Sequence, residues 1–497
     1  MKKVLSIVLC TVMLLSLFVV STSAAAWDGT TASTSLKGEG TADKPYLVET
    51  AEDLAFLAKD VNGGNKYAGK YITQTADIDL GGKEWAPIGA GTGSPFAGVY
   101  NGCGYTIKGF YQSAPLKFSG LFGYLATDGF DGGIANLTLE GKMEIKDATL
   151  TGHWSASPLV GWSFQNSATV PTNTLRIINI VTDVDITVTN YAESPRAAGV
   201  AGYAFRTEFE NVVSNGDITL NGKAQGRAGG IVAESNGTNY TNCVNNGNFT
   251  VNCETGAIRT AGIVAYSSKN ATERFMTLKN CVNNGDITAK VAADTTIYVA
   301  GMIASFQSGP YDLNLVLDGC LNAGDLKGTT GGTANSYAHV GGMGGYPENG
   351  NNAITVKGCV NTGAIAYEGG KQDRTSDIFG TIYSANFENI LYSDCVCVGK
   401  VKSVTFSVKN PDTAITNCTE NAEAAVAAAA AKKITDALAP SATKIAGFDT
   451  AYKAPVVPDP TPTPTPNPGT GDVATLLVVM AIISLAGVVV TKKVSAR

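Results

Sequence analysis

Ten cysteines are spread through 497 residues, and five of them recur in one setting. NCVNNG stands at Asn242–Gly247 and again at Asn280–Gly285. GCLNAG (Gly319–Gly324), GCVNTG (Gly358–Gly363) and DCVCVG (Asp394–Gly399) follow. Cys243, Cys281, Cys320, Cys359 and Cys395 therefore hold one repeating position. A thiol placed this way could form disulfides, bind metal, or fill space in a stacked ladder. Metal asks for Cys-x2–4-Cys pairs or histidine partners. Only Cys395-x-Cys397 comes close, and the two histidines are His153 and His339. Setting Cys10 aside as part of a leader leaves nine cysteines, an odd number for internal pairing. Buried free cysteine acting as a small hydrophobe fits best, with disulfides and metal as alternatives. No cofactor is expected. The apolar residues three and five before the cysteine (Leu278 and Met276; Leu317 and Leu315) set a phase problem, because strict alternation would bury the following valine and expose the thiol. A corner at the preceding Asn or Gly would turn the cysteine inward.

Acid–base chemistry has weaker candidates. Asp183 and Asp185 share one face in DVDIT, with Arg196 and Arg206 nearby in sequence, as a carbohydrate-active site would need. Asp217, Asp286 and Asp325 recur after equivalent turns, however, so these aspartates read as one more solvated ladder. No phosphate loop, nucleophile elbow, HExxH or EF-hand loop is present, and no catalytic residue is assigned. Trp154, Trp162, Tyr311, Tyr337 and Tyr346 could stack on sugars or form small cores under loops.

The elements that carry these residues repeat. The cysteine anchors step by 38, 39, 39 and 36 residues. A glycine anchor keeps the same phase at Gly230, Gly262, Gly301, Gly342 and Gly380, with Gly199 and Gly120 before them. Each unit reads as a Gly-flanked apolar strand (AGGIVA), a variable polar loop, a second strand (TLKN, VLDG, TVKG), the Cys-Val pair, an Asn/Gly turn and a third strand (GDIT, GNFT). Three short strands per unit predict one solenoid coil each, with equivalent strands stacked in parallel. Residues 96–420 would form eight or nine coils, a rod of about 40 Å. Helices are expected at both ends. Thr50 and Asp53 start one that presents Leu54, Leu57 and Val61 and closes at Gly63-Gly64. Asn421–Leu438 is Ala-rich, with Val426, Ile434 and Leu438 on one side, and reads as a cap or spacer.

The two ends read as addresses. Lys2-Lys3, apolar Val4–Val20 and a small-residue site ending at Ala26 form a signal peptide over 1–26. Val473–Val490 is uncharged, about 27 Å long as a helix, and followed by Lys492, Lys493 and Arg497, which predicts a membrane-spanning segment and basic cytoplasmic tail over 472–497. Pro455–Pro468 predicts an extended stalk of about 43 Å within 455–471. Residues 27–95 are assigned to an N-terminal cap region and 421–454 to the Ala-rich helix and spacer. Removing Lys2, Lys3, Lys492, Lys493, Arg497 and Asp472 leaves 31 basic and 41 acidic residues, a net charge of −10 without a basic cluster. Nucleic acid is therefore not an expected partner.

Two family resemblances follow from these motifs. Asn467-Pro468-Gly469-Thr470-Gly471, before an apolar span and a basic tail, resembles the LPxTG-like cell-wall sorting signal of Gram-positive surface proteins in its NPxTG variant. That implies a sortase that cuts between Thr470 and Gly471 and joins Thr470 to peptidoglycan. Asn467 in place of Leu leaves the sortase class open. GEGTADKPYLVETAEDLAFLAKDVNGG, YITQTADIDLGGKEWAPIGAG, GLFG at Gly120–Gly123 and the GIVA copies resemble GLUG-motif surface proteins over residues 38–420. The resemblance implies a right-handed parallel β-helix and an exported protein, and no defined activity. The expected function is a wall-anchored scaffold that binds a glycan or a host or matrix protein; the alternative is a polysaccharide lyase or glycoside hydrolase.

Overall fold

A computed structural model describes residues 26–438, except 147–148, 166–173, 269–274, 308–312, 332–335, 350–351, 370–373, 384–386, 402–403 and 407–412. The segments expected as signal peptide (1–25 of 1–26), stalk and sorting motif (455–471) and membrane span (473–490) lie outside the described residues. No described helix is long and apolar enough to cross a membrane.

The strands wind into a parallel β-helix with three walls. In one representative coil, Gly226–Gly229 belongs to wall one and Val232–Asn236 to wall two. Asn239–Thr241, Val244–Asn245 and Phe249–Cys253 together cross wall three. Walls one and two are each seven strands deep, and every rung pairs in parallel with its copy in the next coil. Wall three runs from Tyr46–Val48 to Thr413–Thr416 through twelve stacked strands. Eleven steps of one strand spacing make it about 53 Å long. The stack thus begins inside the region assigned to the N-terminal cap, and it exceeds the expected eight or nine coils.

A coil also holds five short strands, where three were expected. The missed ones are the wall-one strands, such as Ile258–Ala261 and Thr296–Ala300, and the two-residue strand after each cysteine, such as Val282–Asn283. The small residues of wall one read as a lead-in to the GIVA strand, yet the anchor glycine is the corner between two strands. Its conformation is ordinary; space dictates glycine there. A Cβ at Gly262 would come within 2.2 Å of Asn283 Oδ1, across the interior of the same coil.

One apolar core runs the length of the stack, from Trp27 to Val401. At its start the helix Ala51–Asn62 contributes Leu54, Leu57 and Val61, all fully buried. The Asp53 amide donates to Thr50 Oγ1 (3.3 Å), and the Asp53 carboxylate accepts from the Glu49 amide (3.0 Å). The two bonds hold the helix start reciprocally. At the other end, Ala424–Asp436 lies against the outside of wall three. Ile434, Ala430 and Ala431 cover a ridge made by Val244, Val282, Leu321 and Val360. Val426, expected on that face, points away and is half exposed.

Candidate functional site

The five repeating cysteines are fully buried and free. The residue before each one has left-handed backbone: Asn242 (φ 53°), Asn280 (51°), Gly319 (62°), Gly358 (59°) and Asp394 (55°). That corner resets the alternation, so the thiol faces the core while the next residue faces outward onto the ridge. Asn, Asp and Gly are the residues that tolerate this conformation. Each Sγ lies against a carbonyl of the preceding coil, such as Cys320 on Leu278 (3.3 Å) and Cys281 on Tyr240 (3.7 Å). Burial pushes the thiols of Cys281, Cys320 and Cys359 well up, so none is a ready nucleophile. Among the described residues no three His, Cys, Asp or Glu side chains converge on a metal position.

The other repeated polar residues also hold the coils together. Asp185 Oδ1 accepts from the amide of Asp217 (2.9 Å), Asp217 from Asn248 (2.9 Å), and Asp286 from Asp325 (2.8 Å). Asp185 is thus a rung of the aspartate ladder. Inside wall three, Asn245, Asn283, Asn322 and Asn361 form a fully buried amide spine with links of 2.7–2.8 Å. Each Nδ2 also donates to a glycine carbonyl two residues on, as Asn283 does to Gly285 (2.9 Å). The spine ends on Asp377, whose carboxylate accepts from Asn361 and from the Gly399 amide.

A different set of residues lines the outer corner between walls one and two. Wall one stacks Ser155, Arg196, Arg227, Arg259, Tyr298, His339 and Arg374 in register. Wall two stacks Tyr124, Trp162, Tyr203, Glu234, Tyr266, Ser305 and Tyr346. Guanidinium groups lie over rings across the corner: Arg196 is 5.1 Å from Trp162 and 5.3 Å from Tyr203, and Arg259 is 4.7 Å from Tyr266. Further along, Tyr298 stacks on His339 (5.2 Å), and Arg374 reaches His339 Nε2 at 3.2 Å.

Two carboxylates balance part of this charge. Arg196 Nε donates to Glu234 Oε2 (2.6 Å), and Arg227 Nη1 donates to the same oxygen. Glu348 accepts from Arg259 Nη2 (2.7 Å) and from the Ser305 hydroxyl (2.8 Å). Burial alone would push Glu234 up, but Arg196 and Arg227 outweigh it and hold the carboxylate below its ordinary value. The neighbouring Arg227 is lowered by the same burial and by its two flanking arginines, against the pull of Glu234. The guanidinium stays protonated in any case, because its ordinary value is so high. Glu234 is therefore an ionised ion-pair partner and a poor proton donor.

Of the sequence candidates, Trp162, Tyr346 and Arg196 belong to this corner, and Tyr337 borders it beneath Arg374 (3.4 Å). Trp154 is fully buried in the core, Arg206 stacks on Phe205 (5.0 Å), and Tyr311 lies outside the described residues. Arg227, Arg259, Glu234 and Glu348 were missed. A signal for most of them exists: from Arg196 to His339 the wall-one corner residues sit three before the anchor glycine, and wall-two residues four after it; at the last corner the register puts Asp377, not Gly380, in the glycine's place.

No protein-family model matches the chain. A protein of Evansella cellulosilytica named as a Gly-rich membrane protein is 38% identical over 106 residues, which is 21% of this chain and 12% of that protein. Halomucin of Haloquadratum walsbyi is 32% identical over 145 residues, 27% of this chain and 2% of its own length. The chain thus spans only a small part of either relative. A Bacteroides ovatus crystal structure that carries the name immunoglobulin A1 protease overlaps 61% of this chain and 86% of its own, with a TM-score of 0.43 and 20% identity.

Proposed function

We propose that the chain is an exported, surface-displayed right-handed β-solenoid that binds a glycan or a host or matrix protein along the outer corner of walls one and two. The observation that carries this reading is the corner's composition. Aromatic rings and guanidinium groups meet there, outside the core, at positions where the rest of the coil repeats. Surface display is supported by the sequence matches to a named membrane protein and to halomucin. Under this reading Asn467-Pro468-Gly469-Thr470-Gly471 is the sortase signal, and peptidoglycan is the covalent partner.

The test is a glycan and matrix-protein binding screen on the full-length chain in mild detergent, with product analysis on the same polysaccharides. Capture of a ligand without new products is the expected result. Shortened or unsaturated products would replace the binding reading with a carbohydrate-active enzyme.

A further inference from the structure

Two aromatic columns of wall two, Tyr124–Trp162–Tyr203 at the outer corner and Phe164–Phe205 two residues along, end in a recess of about 220 Å³ near the start of the stack. Tyr124 and Phe164 supply its apolar surface, and Lys66, Asp128, Thr92 and Thr127 its polar rim. Both rings are braced from behind. Phe164 stacks on Phe205 (4.8 Å, 22°), and Tyr124 meets Phe118 edge-on (5.2 Å). The loop carrying Thr92 is tied down by backbone bonds from Phe96 to Tyr124 (2.9 Å) and from Ala126 to Phe96 (3.0 Å). Lys66 Nζ pairs with Asp128 Oδ2 at 3.1 Å, with both side chains well exposed. Two residues beyond Asp128, Phe130 is 55% exposed, the highest value among the described large apolar residues, and its ring rests on Gly69. An aromatic held in water beside an open recess costs solvation free energy that a bound apolar face would recover.

We propose that this recess binds one uncharged pyranose unit of a glycan, which rests on the glycan branch of the function proposed above. A pyranose has an apolar C–H face and an equatorial ring of hydroxyls. The C–H face matches the rings of Phe164 and Tyr124. The hydroxyls match Lys66 as donor, Asp128 as acceptor and the threonine hydroxyls as either. Lys66 and Asp128 cancel in charge, so the recess gives a uronate no net attraction, unlike the arginine-bearing rungs further along.

The test is saturation-transfer NMR on the full-length chain in mild detergent. The probes are the methyl glycosides of glucose, galactose, mannose and N-acetylglucosamine, with glucuronate as the charged arm. At least one neutral glycoside should receive saturation on its ring C–H protons. Phe164→Ala and Asp128→Asn should each weaken it about tenfold or more, and Leu391→Ala on wall three should leave it unchanged. Asp128→Asn alters only an exposed group, so a loss there cannot be assigned to misfolding. Three results overturn the proposal: no saturation of any neutral glycoside, binding of glucuronate alone, or unchanged binding in both recess variants. If any of these occurs while the screen above still captures a glycan, the recess fails and the broader reading stands. If the screen captures neither glycan nor matrix protein, both fail.

Discussion

Wall three and the outer corner are built on the same coils, yet they treat repetition in opposite ways. Down wall three the same residue returns over runs of coils: cysteine on cysteine through five, buried asparagine on asparagine through four, and side chains at the aspartate turn accepting from the next backbone. Down the corner the rungs change from arginine to tyrosine to histidine on one wall, and from tryptophan to glutamate to serine on the other. A residue that repeats with the coil solves a problem every coil has. A residue that changes within an unchanged register answers something particular to its level.

The sharpest way to break this contrast is at Glu234. Glu234→Ala should destabilise the chain by about 3–5 kcal/mol, because it leaves Arg196 and Arg227 buried without their shared carboxylate. Urea unfolding followed by circular dichroism would measure it, and a loss under 1 kcal/mol would mean the corner charges are solvated. Next, Asn283→Ala interrupts the amide spine and orphans the Gly285 carbonyl, for an expected cost of about 1–3 kcal/mol. The same substitution one coil away, Asn322→Ala, should cost the same if the spine is a true repeat.

The corner carries a pH effect of its own. Burial, with Arg374 beside it, pushes His339 well below its ordinary value, whereas the unfolded chain protonates near 6.5. The unfolded state then binds more protons in acid, so stability is fully present above about 6.5 and declines as pH falls below it. His339→Phe should reduce that decline, leaving the share of His153, which burial also lowers, and the later decline from Glu234, whose folded value is lowered too. Cys281→Ala, a repeated rung, should cost only about 1 kcal/mol with no pH dependence. Among the described cysteines, half-buried Cys418 should react first with maleimide in the native protein. The smallest change is Val426→Ser, within about 0.5 kcal/mol by thermal unfolding, because that side chain faces solvent.

What could be read from the residues follows the same division. The coil period was legible because two landmarks, the cysteine and the corner glycine, kept one phase. The cysteine's direction was legible because the residue before it is one that tolerates left-handed backbone. The wall-one strands were not, since Arg-Ala-Gly and Thr-Ala-Gly are short and low in β propensity, and only their neighbours above and below make them strands. Arg227 and Glu234 escaped notice because they stand on opposite sides of an anchor glycine and meet only when the chain turns there. The packed face of the last helix was misread at Val426 because its partner ridge accepts alanines, which a hydrophobicity pattern ranks below valine.

The buried amide spine has an electrical consequence. Every Nδ2 from Asn245 to Asn361 points toward the C-terminal end, and its second bond to a glycine carbonyl fixes that direction. Four side-chain dipoles therefore add head to tail in a medium that screens them weakly. Their positive end meets the Asp377 carboxylate, as the start of an α-helix meets an acidic residue. On the outer corner of the same wall, Asn280, Asn242, Asn211 and Asn179 donate in the opposite direction. Asn284, Asn246 and Asn215 form another row in that direction, and Asn252 donates to Asn221 likewise, so the dry spine runs against each of these neighbouring asparagine rows.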